Sequence, residues 1–267
     1  MEKTLADRLE EMAQAAAWPA EHRTTMESRR TYETGLDVVN MYRGHPSVLV
    51  EGLRRFQATR SCSYAYAGIA YTLAIASFAG SQTPDRRGLQ NAMQWLERSQ
   101  NFEPDRPEIN FIEAVIYLNG KQLDKARMVL DYLANQDPQN YYLITTEMEY
   151  WEQRDDEQKY FQWAKKGLEA ANRKGRRIFV MNSLAGFYLS KGYLEKSIDT
   201  YLDLAELDPD DPWLWHNLSV MYVELEMFKE AHQCNQRALS IMEFGAAREI
   251  EQVIKKNRSS ISRLFGR

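Results

Sequence analysis

The side chains with the greatest chemical potential in this 267-residue chain are four histidines and two cysteines. His232 and Cys234 come closest to a pair, but two residues apart on a helix they point to different faces. None of the six shares a metal-ligand spacing with another histidine, cysteine or acidic residue. The sequence therefore predicts no metal site and two reduced thiols. In chain order the six side chains are His22, His45, Cys62, His216, His232 and Cys234.

The acidic pairs do not form a catalytic pattern either. Asp155–Asp156 and Asp210–Asp211 fall where helices are predicted to begin, and carboxylates at that position cap backbone amides. A catalytic carboxylate pair is the less favoured interpretation of these residues. The sequence has no glycine-rich phosphate loop, nucleophile elbow or kinase signature. We therefore expect a protein that is not an enzyme and that needs no cofactor.

The composition is typical of a folded protein. Hydrophobic residues make up 44% of the chain and charged residues 27%, which excludes a disordered chain. The net charge of −4 and the pI near 5.7 argue against nucleic acid as a general partner, because phosphate binding needs a basic face. The charged, amphipathic N-terminus is not typical of a secretory signal. Together with the two distant cysteines, these features favour a cytoplasmic protein.

One segment requires a test for membrane insertion, because no charged residue lies between Arg60 and Asp85. It is rich in tyrosine, alanine, serine and threonine, whereas a membrane-spanning helix needs about 20 strongly apolar residues. We therefore predict a buried helix that continues to Ala79, followed by a loop over residues 80–88.

A repeat with a period of 34 residues organises the C-terminal half, where Ile178–Pro209 aligns with Pro212–Leu239. Each stretch has apolar or small residues at helical spacing, a short turn and a second helical run. One helix pair cannot bury its own apolar face, so the stacking of pairs must make the core. The aligned positions are Met181 with Trp215, Leu184 with Leu218, Ala185 with Ser219, Tyr188 with Tyr222, Ser197 with Ala231, and Leu204 with Ala238.

The second stretch resembles the tetratricopeptide repeat through the pattern Trp215-x-x-Leu218-Ser219-x-x-Tyr222, followed by Ala231 and Ala238. Further units of this kind begin at Tyr64 and Pro107, and a degenerate one that is about three residues longer begins at Tyr141. The resemblance implies an all-α fold, a right-handed superhelical solenoid of antiparallel helix pairs. One departure is Asn235, where the family prefers a bulky side chain.

The predicted organisation has three parts. Residues 1–60 are expected to form N-terminal helices with weak repeat character: a leading helix, then a helix pair broken near residues 43–46. Residues 61–240 are expected to form the repeat array, with about five helix pairs. Residues 241–267 are expected to form a C-terminal capping helix.

The resemblance implies that the first helix of each unit lines a concave face where a partner binds. Helical spacing then selects the side chains exposed on that face. For Phe179 and Val220, packing against the neighbouring unit is an equally good interpretation. A groove with several aromatic side chains and few charges suits an apolar or helical peptide segment. The predicted partner-binding residues are Phe111, Tyr142, Glu149, Phe179, Asn182, Trp213, His216, Val220 and Glu224.

Two further features limit the kind of partner. Some family members hold acidic chaperone peptides with basic residues, but the matching positions here hold Asn182, Gly186 and Asn217. The C-terminal helix has an excess of basic residues and an apolar face ending at Leu264–Phe265. A membrane-surface helix or a docking helix is the alternative to a cap there, and we favour the cap.

The sequence therefore predicts an adaptor or scaffold that holds a protein or peptide partner on its concave face. Nucleic acid is not an expected partner, and the basic C-terminal helix is the one candidate for membrane contact. The alternative function is a structural subunit of a homo-oligomeric or multiprotein complex, assembled through repeat edges and terminal helices.

Overall fold

In the computed structural model, residues 3–19, 24–78 and 83–265 are described, with backbone alone from residue 258 onwards. These residues form fourteen α-helices and no strand. The helices are α1 Leu5–Ala15, α2 Met26–Val39, α3 Pro46–Gln57, α4 Cys62–Ala76, α5 Arg86–Gln100, α6 Pro107–Asn119, α7 Leu123–Gln136, α8 Tyr141–Gln153, α9 Glu157–Ala170, α10 Lys174–Ser190, α11 Leu194–Leu207, α12 Pro212–Glu224, α13 Phe228–Ile241 and α14 Gly245–Phe265.

The helices from α2 to α13 form six consecutive pairs, which confirms the predicted fold class. The chain divides into two compact units, Met1–Arg176 (unit 1) and Arg177–Arg267 (unit 2). Helix α10 begins in unit 1 and continues in unit 2. Within unit 1 the first helices of successive pairs, α2, α4, α6 and α8, pack side by side. The boundaries expected at residues 60 and 240 fall inside these units and stay predictions.

The turn inside each pair from α6–α7 onwards has the same backbone motif. One residue has a positive φ, and the amide of the next residue donates to a carbonyl five residues back, as from Gln122 to Tyr117 at 2.8 Å. This is the Schellman ending of a helix. The left-handed residues lie 34, 37 and 34 residues apart, which matches the predicted period and the longer degenerate unit. They are Lys121, Asp155, Gly192 and Glu226, with φ of 57°, 59°, 75° and 58°.

One carboxylate of each acidic pair, Asp156 and Asp211, caps a helix. The Asp156 carboxylate accepts a hydrogen bond from the Lys159 amide at 3.0 Å at the start of α9. The Asp211 carboxylate accepts one from the Trp213 amide at 2.9 Å at the start of α12. Each bond satisfies an amide that has no partner inside its helix.

Small side chains allow the two helices of a pair to approach closely in unit 2. The buried Ser197 hydroxyl donates to the Ala185 carbonyl at 2.9 Å, and the buried Ser219 hydroxyl donates to the Ala231 carbonyl at 2.8 Å. Ala185 and Ser219 are equivalent positions of the repeat. In the pair α10–α11 the serine lies on the second helix, and in the pair α12–α13 it lies on the first. Both pairs therefore have the same hydrogen bond between their helices, in opposite directions.

Helix α4 is buried along most of its length and ends earlier than predicted. Its last residue is Ala76, whereas the sequence led us to expect a helix to Ala79, which lies outside the described residues. The Ser77 carbonyl accepts a hydrogen bond from the Asp85 amide at 2.8 Å, so the chain has already turned towards α5 there. Among the described helices, none combines the length and apolar character needed to cross a membrane.

Phe56 of α3 packs the first helix pair, α2–α3, against α4. The Phe56 ring is fully buried between Gly35 of α2 and Gly68 of α4. A Cβ atom added at Gly68 would lie 2.1 Å from this ring, so no larger residue fits without displacing it. The weakly repetitive first pair is therefore packed tightly against α4.

Helix α14 packs on both helices of the last pair. Ala247 and Ile254 are fully buried, whereas Val253 is 40% exposed. This placement fits the favoured interpretation of a cap. The predicted apolar end at Leu264–Phe265 lies outside the described side chains.

Candidate functional site

The inner side of unit 1, where the first helices of its pairs lie together, is filled by the protein's own aromatic rings. Tyr32 stacks on Tyr64 with 4.7 Å between ring centroids, and Phe111 stacks on Tyr142 with 4.8 Å. Tyr71 contacts Phe111 and donates a hydrogen bond to Asn40. The structure thus brings together the predicted binding residues Phe111 and Tyr142, but both are buried. In this conformation they pack against each other.

An ion-pair cluster closes one side of this ring stack. The Arg173 guanidinium lies 2.7 Å from the Glu33 carboxylate and 3.2 Å from the Asp37 carboxylate. The Arg176 guanidinium lies 3.2 Å from Glu33 and 3.5 Å from Asp37. These contacts join α2 to the start of α10, although the two segments are about 140 residues apart in the sequence.

Arg176 also connects the cluster to the rings. Its guanidinium donates to the Tyr142 hydroxyl at 2.9 Å and lies 4.7 Å from the centroid of Tyr141. The Tyr141 hydroxyl in turn donates to the Arg176 carbonyl at 3.1 Å. Because Arg176 is only 7% exposed, its charge depends on these partners for stabilisation.

Glu149 lies on the same helix as Tyr142 and is half-buried. It accepts a hydrogen bond from Gln153 at 3.4 Å. Burial, reinforced by the nearby Glu152 carboxylate, raises the pKa of Glu149 to about 7. Glu149 is therefore partly protonated at neutral pH, and its role in partner binding stays a prediction.

In unit 2 the predicted residues Trp213 and His216 belong to an aromatic cluster that includes Phe244. The Trp213 ring lies 4.4 Å from Phe244 and 5.7 Å from His216, measured between ring centroids. His216 is 9% exposed, and its Nδ1 has no hydrogen-bond partner among the described residues. Burial lowers the pKa of His216, which leaves the ring neutral at physiological pH.

Most of the predicted residues of unit 2 are more accessible than the two predicted rings of unit 1. Phe179 and Asn182 on α10 are half-buried, as are Trp213 and Val220 on α12. Glu224, at the end of α12, is exposed. We call Phe179, Asn182, Trp213, His216 and Val220 the unit 2 stripe.

The described residues offer no group of three or more histidine, cysteine or acidic side chains arranged to hold a metal ion. Cys62 and Cys234 are buried and are not joined in a disulfide, and burial raises the pKa of both thiols. His22 lies outside the described residues.

Two parts of these sites were missed by the sequence interpretation. The ion-pair cluster had a faint signal, since Glu33 and Asp37 are one helical turn apart and Arg173 and Arg176 are three residues apart. Nothing in the sequence indicated that the two pairs meet. Phe244 lies between two predicted helices, and no repeat position marks it as a neighbour of Trp213.

The comparisons with known proteins agree with this architecture. A family model described as the tetratricopeptide repeat matches residues 180–211. A search of curated proteins finds no match. Solved structures with a similar fold do exist, at 12% identity or less, and this likeness shows the fold alone.

Three of these structures are informative. The crystal structure of the APC/C hetero-tetramer Cut9–Hcn1 has 12% identity and a TM-score of 0.59, and the match covers 85% of this chain and 46% of the other. PilF of Pseudomonas aeruginosa has 12% identity and a TM-score of 0.53, with 76% and 94% covered. Yeast Tom70 has 10% identity and a TM-score of 0.54, with 94% and 69% covered. The chain thus spans about half the length of the chain it matches in the Cut9–Hcn1 structure.

Proposed function

We propose that this chain, whose fold is that of tetratricopeptide-repeat proteins, works as an adaptor or scaffold that holds a protein or peptide partner. Repeat proteins of this type generally act as interaction scaffolds, because stacked helix pairs present extended surfaces. We further propose that it works in the cytoplasm and without catalysis.

The observation that carries the proposal is the difference between the two units. In unit 1 the predicted binding rings Phe111 and Tyr142 are 2% and 4% exposed, so they offer almost no surface. In unit 2 the aromatic residues Phe179 and Trp213 remain half-buried. A partly exposed tryptophan held by neighbouring rings is the type of residue that dominates binding energy at protein interfaces. We therefore assign the partner site to the unit 2 stripe.

The chemistry of the stripe suits an apolar or helical peptide segment. None of its five residues carries a charge at neutral pH, since the pKa of His216 is lowered. A charged partner segment would leave its own charges without a counterpart there, at a cost in desolvation. Trp213 and Phe179 supply apolar area, and Asn182 supplies an amide for backbone recognition.

The proposal is tested by capture of partners with the purified full chain. Immobilised protein is incubated with a lysate of the source organism, and the bound proteins are quantified by mass spectrometry. The substitution Trp213→Ala is expected to reduce capture of a specific partner at least about tenfold, as for a hot-spot tryptophan. Retention of every captured protein by this variant would contradict the assignment.

Trp163→Ala is the matched control. Trp163 is also half-buried, but it lies on α9, where the Lys166 ammonium packs 3.9 Å from its ring. The control removes a tryptophan of similar exposure away from the stripe and is expected to retain the partner. Thermal melting of both variants by circular dichroism shows whether loss of capture reflects binding or unfolding.

A further inference from the structure

We propose that a groove in unit 1, which we call the basic groove, binds an acidic segment of a partner protein. The groove lies where the start of α5 meets the turn between α6 and α7, and its volume is about 710 Å³. Its cationic side chains are Arg86, Lys121 and Lys125. These residues belong to unit 1 and lie outside the unit 2 stripe, so the proposal goes beyond partner binding by the stripe and does not depend on it.

The described lining of the basic groove has positive charges and no negative ones. Of its twelve described residues, three are cationic and none is acidic. In the described part of the chain, no carboxylate forms an ion pair with Arg86, Lys121 or Lys125. Lys121 donates a hydrogen bond to the Gln153 side chain at 3.2 Å, and its charge also acts on Glu149, which is partly protonated at neutral pH. A bound carboxylate would therefore meet cations that no ion pair neutralises.

The acidic residues around the groove are engaged in other contacts. The Asp85 carboxylate accepts a hydrogen bond from the Gly88 amide at 3.0 Å and caps α5. Glu113 accepts a hydrogen bond from the Tyr117 hydroxyl. Asp124 lies in the first turn of α7, where its charge complements the helix dipole. None of the three carboxylates is among the described residues that line the groove.

Aromatic rings hold the two lysines of the groove in place. The Lys125 ammonium lies 5.4 Å from the centroid of Tyr117, and the Lys121 ammonium lies 5.3 Å from the centroid of Phe78. A cation–π contact orients an ammonium group without neutralising its charge. Because the side chains are already ordered, less conformational entropy is lost when a carboxylate binds.

The floor of the basic groove is apolar. Leu89 and Ile116 lie there and are 8% and 4% exposed, and Met93 is half-buried. A peptide with an aliphatic side chain between acidic residues supplies both apolar area and negative charge. A phosphate backbone supplies the charge alone, and the net charge of −4 also opposes nucleic acid. We therefore commit to an acidic peptide segment as the occupant.

The fold itself does not require the two lysines. Lys121 occupies the left-handed position of its turn, and Glu226 occupies the equivalent position in α12–α13. Four residues later the equivalent positions hold Lys125 and Glu230, so the charge is reversed between the two pairs. Of the four pairs with a left-handed turn, α6–α7 alone has cations at both positions. The positive charge is therefore a property of this groove and not of the repeat.

The experiment measures peptide binding to the purified full chain by fluorescence anisotropy. The probe is a rhodamine-labelled peptide that repeats the order Glu-Glu-Leu, and a second peptide has glutamine in place of every glutamate. The acidic peptide is expected to bind, with an affinity that falls as added salt screens the charges. The glutamine peptide is expected not to bind. Absence of binding by the acidic peptide would overturn the proposal.

The double variant Lys121→Gln with Lys125→Gln removes two of the three cations. It is expected to weaken binding of the acidic peptide about tenfold, which is the combined loss of two exposed ion pairs. An unchanged affinity would contradict the assignment of the groove. If the double variant does not fold, Arg86→Gln, at an exposed position, gives the same comparison with the third cation.

The matched control is Lys196→Gln with Lys229→Gln, which removes the same net charge from unit 2. Lys196 is the repeat equivalent of Lys125, and its ammonium lies 5.7 Å from the centroid of Tyr188. The control is expected to keep the affinity for the acidic peptide. An equal loss of affinity would show an effect of net charge alone and would overturn the proposal.

Two further measurements separate this proposal from its neighbours. Trp213→Ala is expected to bind the acidic peptide normally, so a failure of the unit 2 stripe and a failure of the basic groove are distinguishable. A labelled polyuridylate strand serves as the nucleic-acid probe. If it bound more tightly than the peptide and lost this binding in the double variant, the groove would be a nucleic-acid site and the proposal would be wrong.

Discussion

Asn235 is a polar residue at a position of the repeat where the preceding unit has Tyr201. Its side chain is fully buried, and neither amide atom has a hydrogen-bond partner among the described residues. Tyr201, in contrast, is hydrogen-bonded through its hydroxyl to the Asn217 amide at 2.9 Å. A buried amide without partners costs free energy that an apolar side chain of the same size would not.

We therefore predict that Asn235→Leu stabilises the protein. The free energy of unfolding should rise by about 1–2 kcal/mol, because the unpaired amide is replaced by apolar packing. Chemical denaturation followed by circular dichroism measures this change. A loss of stability would show that the Asn235 amide has a partner beyond the described side chains, such as a buried water molecule.

Asn217→Leu is the control for this prediction. Asn217 lies one helix away and is already hydrogen-bonded to Tyr201. Its replacement removes this hydrogen bond to the Tyr201 hydroxyl. The free energy of unfolding should therefore fall by about 1 kcal/mol, opposite in sign to the effect at Asn235.

At the scale of the helix pair, the left-handed turn is the element that each repeat must form. Glycine occupies it in α10–α11, but a lysine, an aspartate and a glutamate occupy it in the other three pairs. For a residue with a Cβ atom, this conformation costs roughly 1 kcal/mol of free energy. The Schellman hydrogen bonds and the packing of the pair outweigh this cost.

Replacing Glu226 with glycine should therefore stabilise the pair α12–α13. We expect a gain of about 1 kcal/mol in the free energy of unfolding, because the strain at φ of 58° is relieved. Thermal and chemical denaturation measure the gain. The exposed Gln236, in the middle of α13, gives the control, since Gln236→Gly should cost about 1 kcal/mol in a regular helix. If both variants lose stability, the turn is not strained.

For the whole molecule, the oligomeric state separates the two candidate functions, a scaffold that works alone and a subunit in an assembly of copies. Met128 is 72% exposed and Tyr132 is 46% exposed, one turn apart on α7 of unit 1. This apolar pair is the observation that favours the alternative function of a structural subunit. The proposed scaffold function, in contrast, needs no self-association.

We expect a monomer in solution. Size-exclusion chromatography with light scattering should give a mass near 31.2 kDa. A defined oligomer would instead support the structural subunit. In that case Met128→Glu should dissociate it if α7 forms the contact, because a buried charge without a partner is costly at an interface. Leu202→Glu, at a residue 41% exposed on α11, controls for a general effect of added charge.

Much of the fold was predictable because it depends on short stretches of chain. The caps at Asp156 and Asp211 and the helix starts at Pro107 and Pro212 arise from interactions within about four residues along a helix, and the 34-residue period is the length of one helix pair with its turns. These features appear directly as spacing in the sequence. The same local rule predicted the degenerate pair, where the buried Tyr160 replaces a small residue and Gly167 replaces a large one.

What the tertiary structure decided is which of the predicted inner residues remain accessible. Helical spacing selected Phe111, Tyr142, Phe179 and Trp213 by the same rule, yet the first two are buried and the last two are half-buried. Phe111 and Tyr142 stack on each other, and the Tyr142 hydroxyl binds Arg176, which charges on α2 hold from far away in sequence. Contacts of that range leave no periodic signal, since each partner alone is an ordinary charged residue on a helix. The sequence therefore determined the helix pairs and the face they present, and tertiary packing determined where that face is accessible.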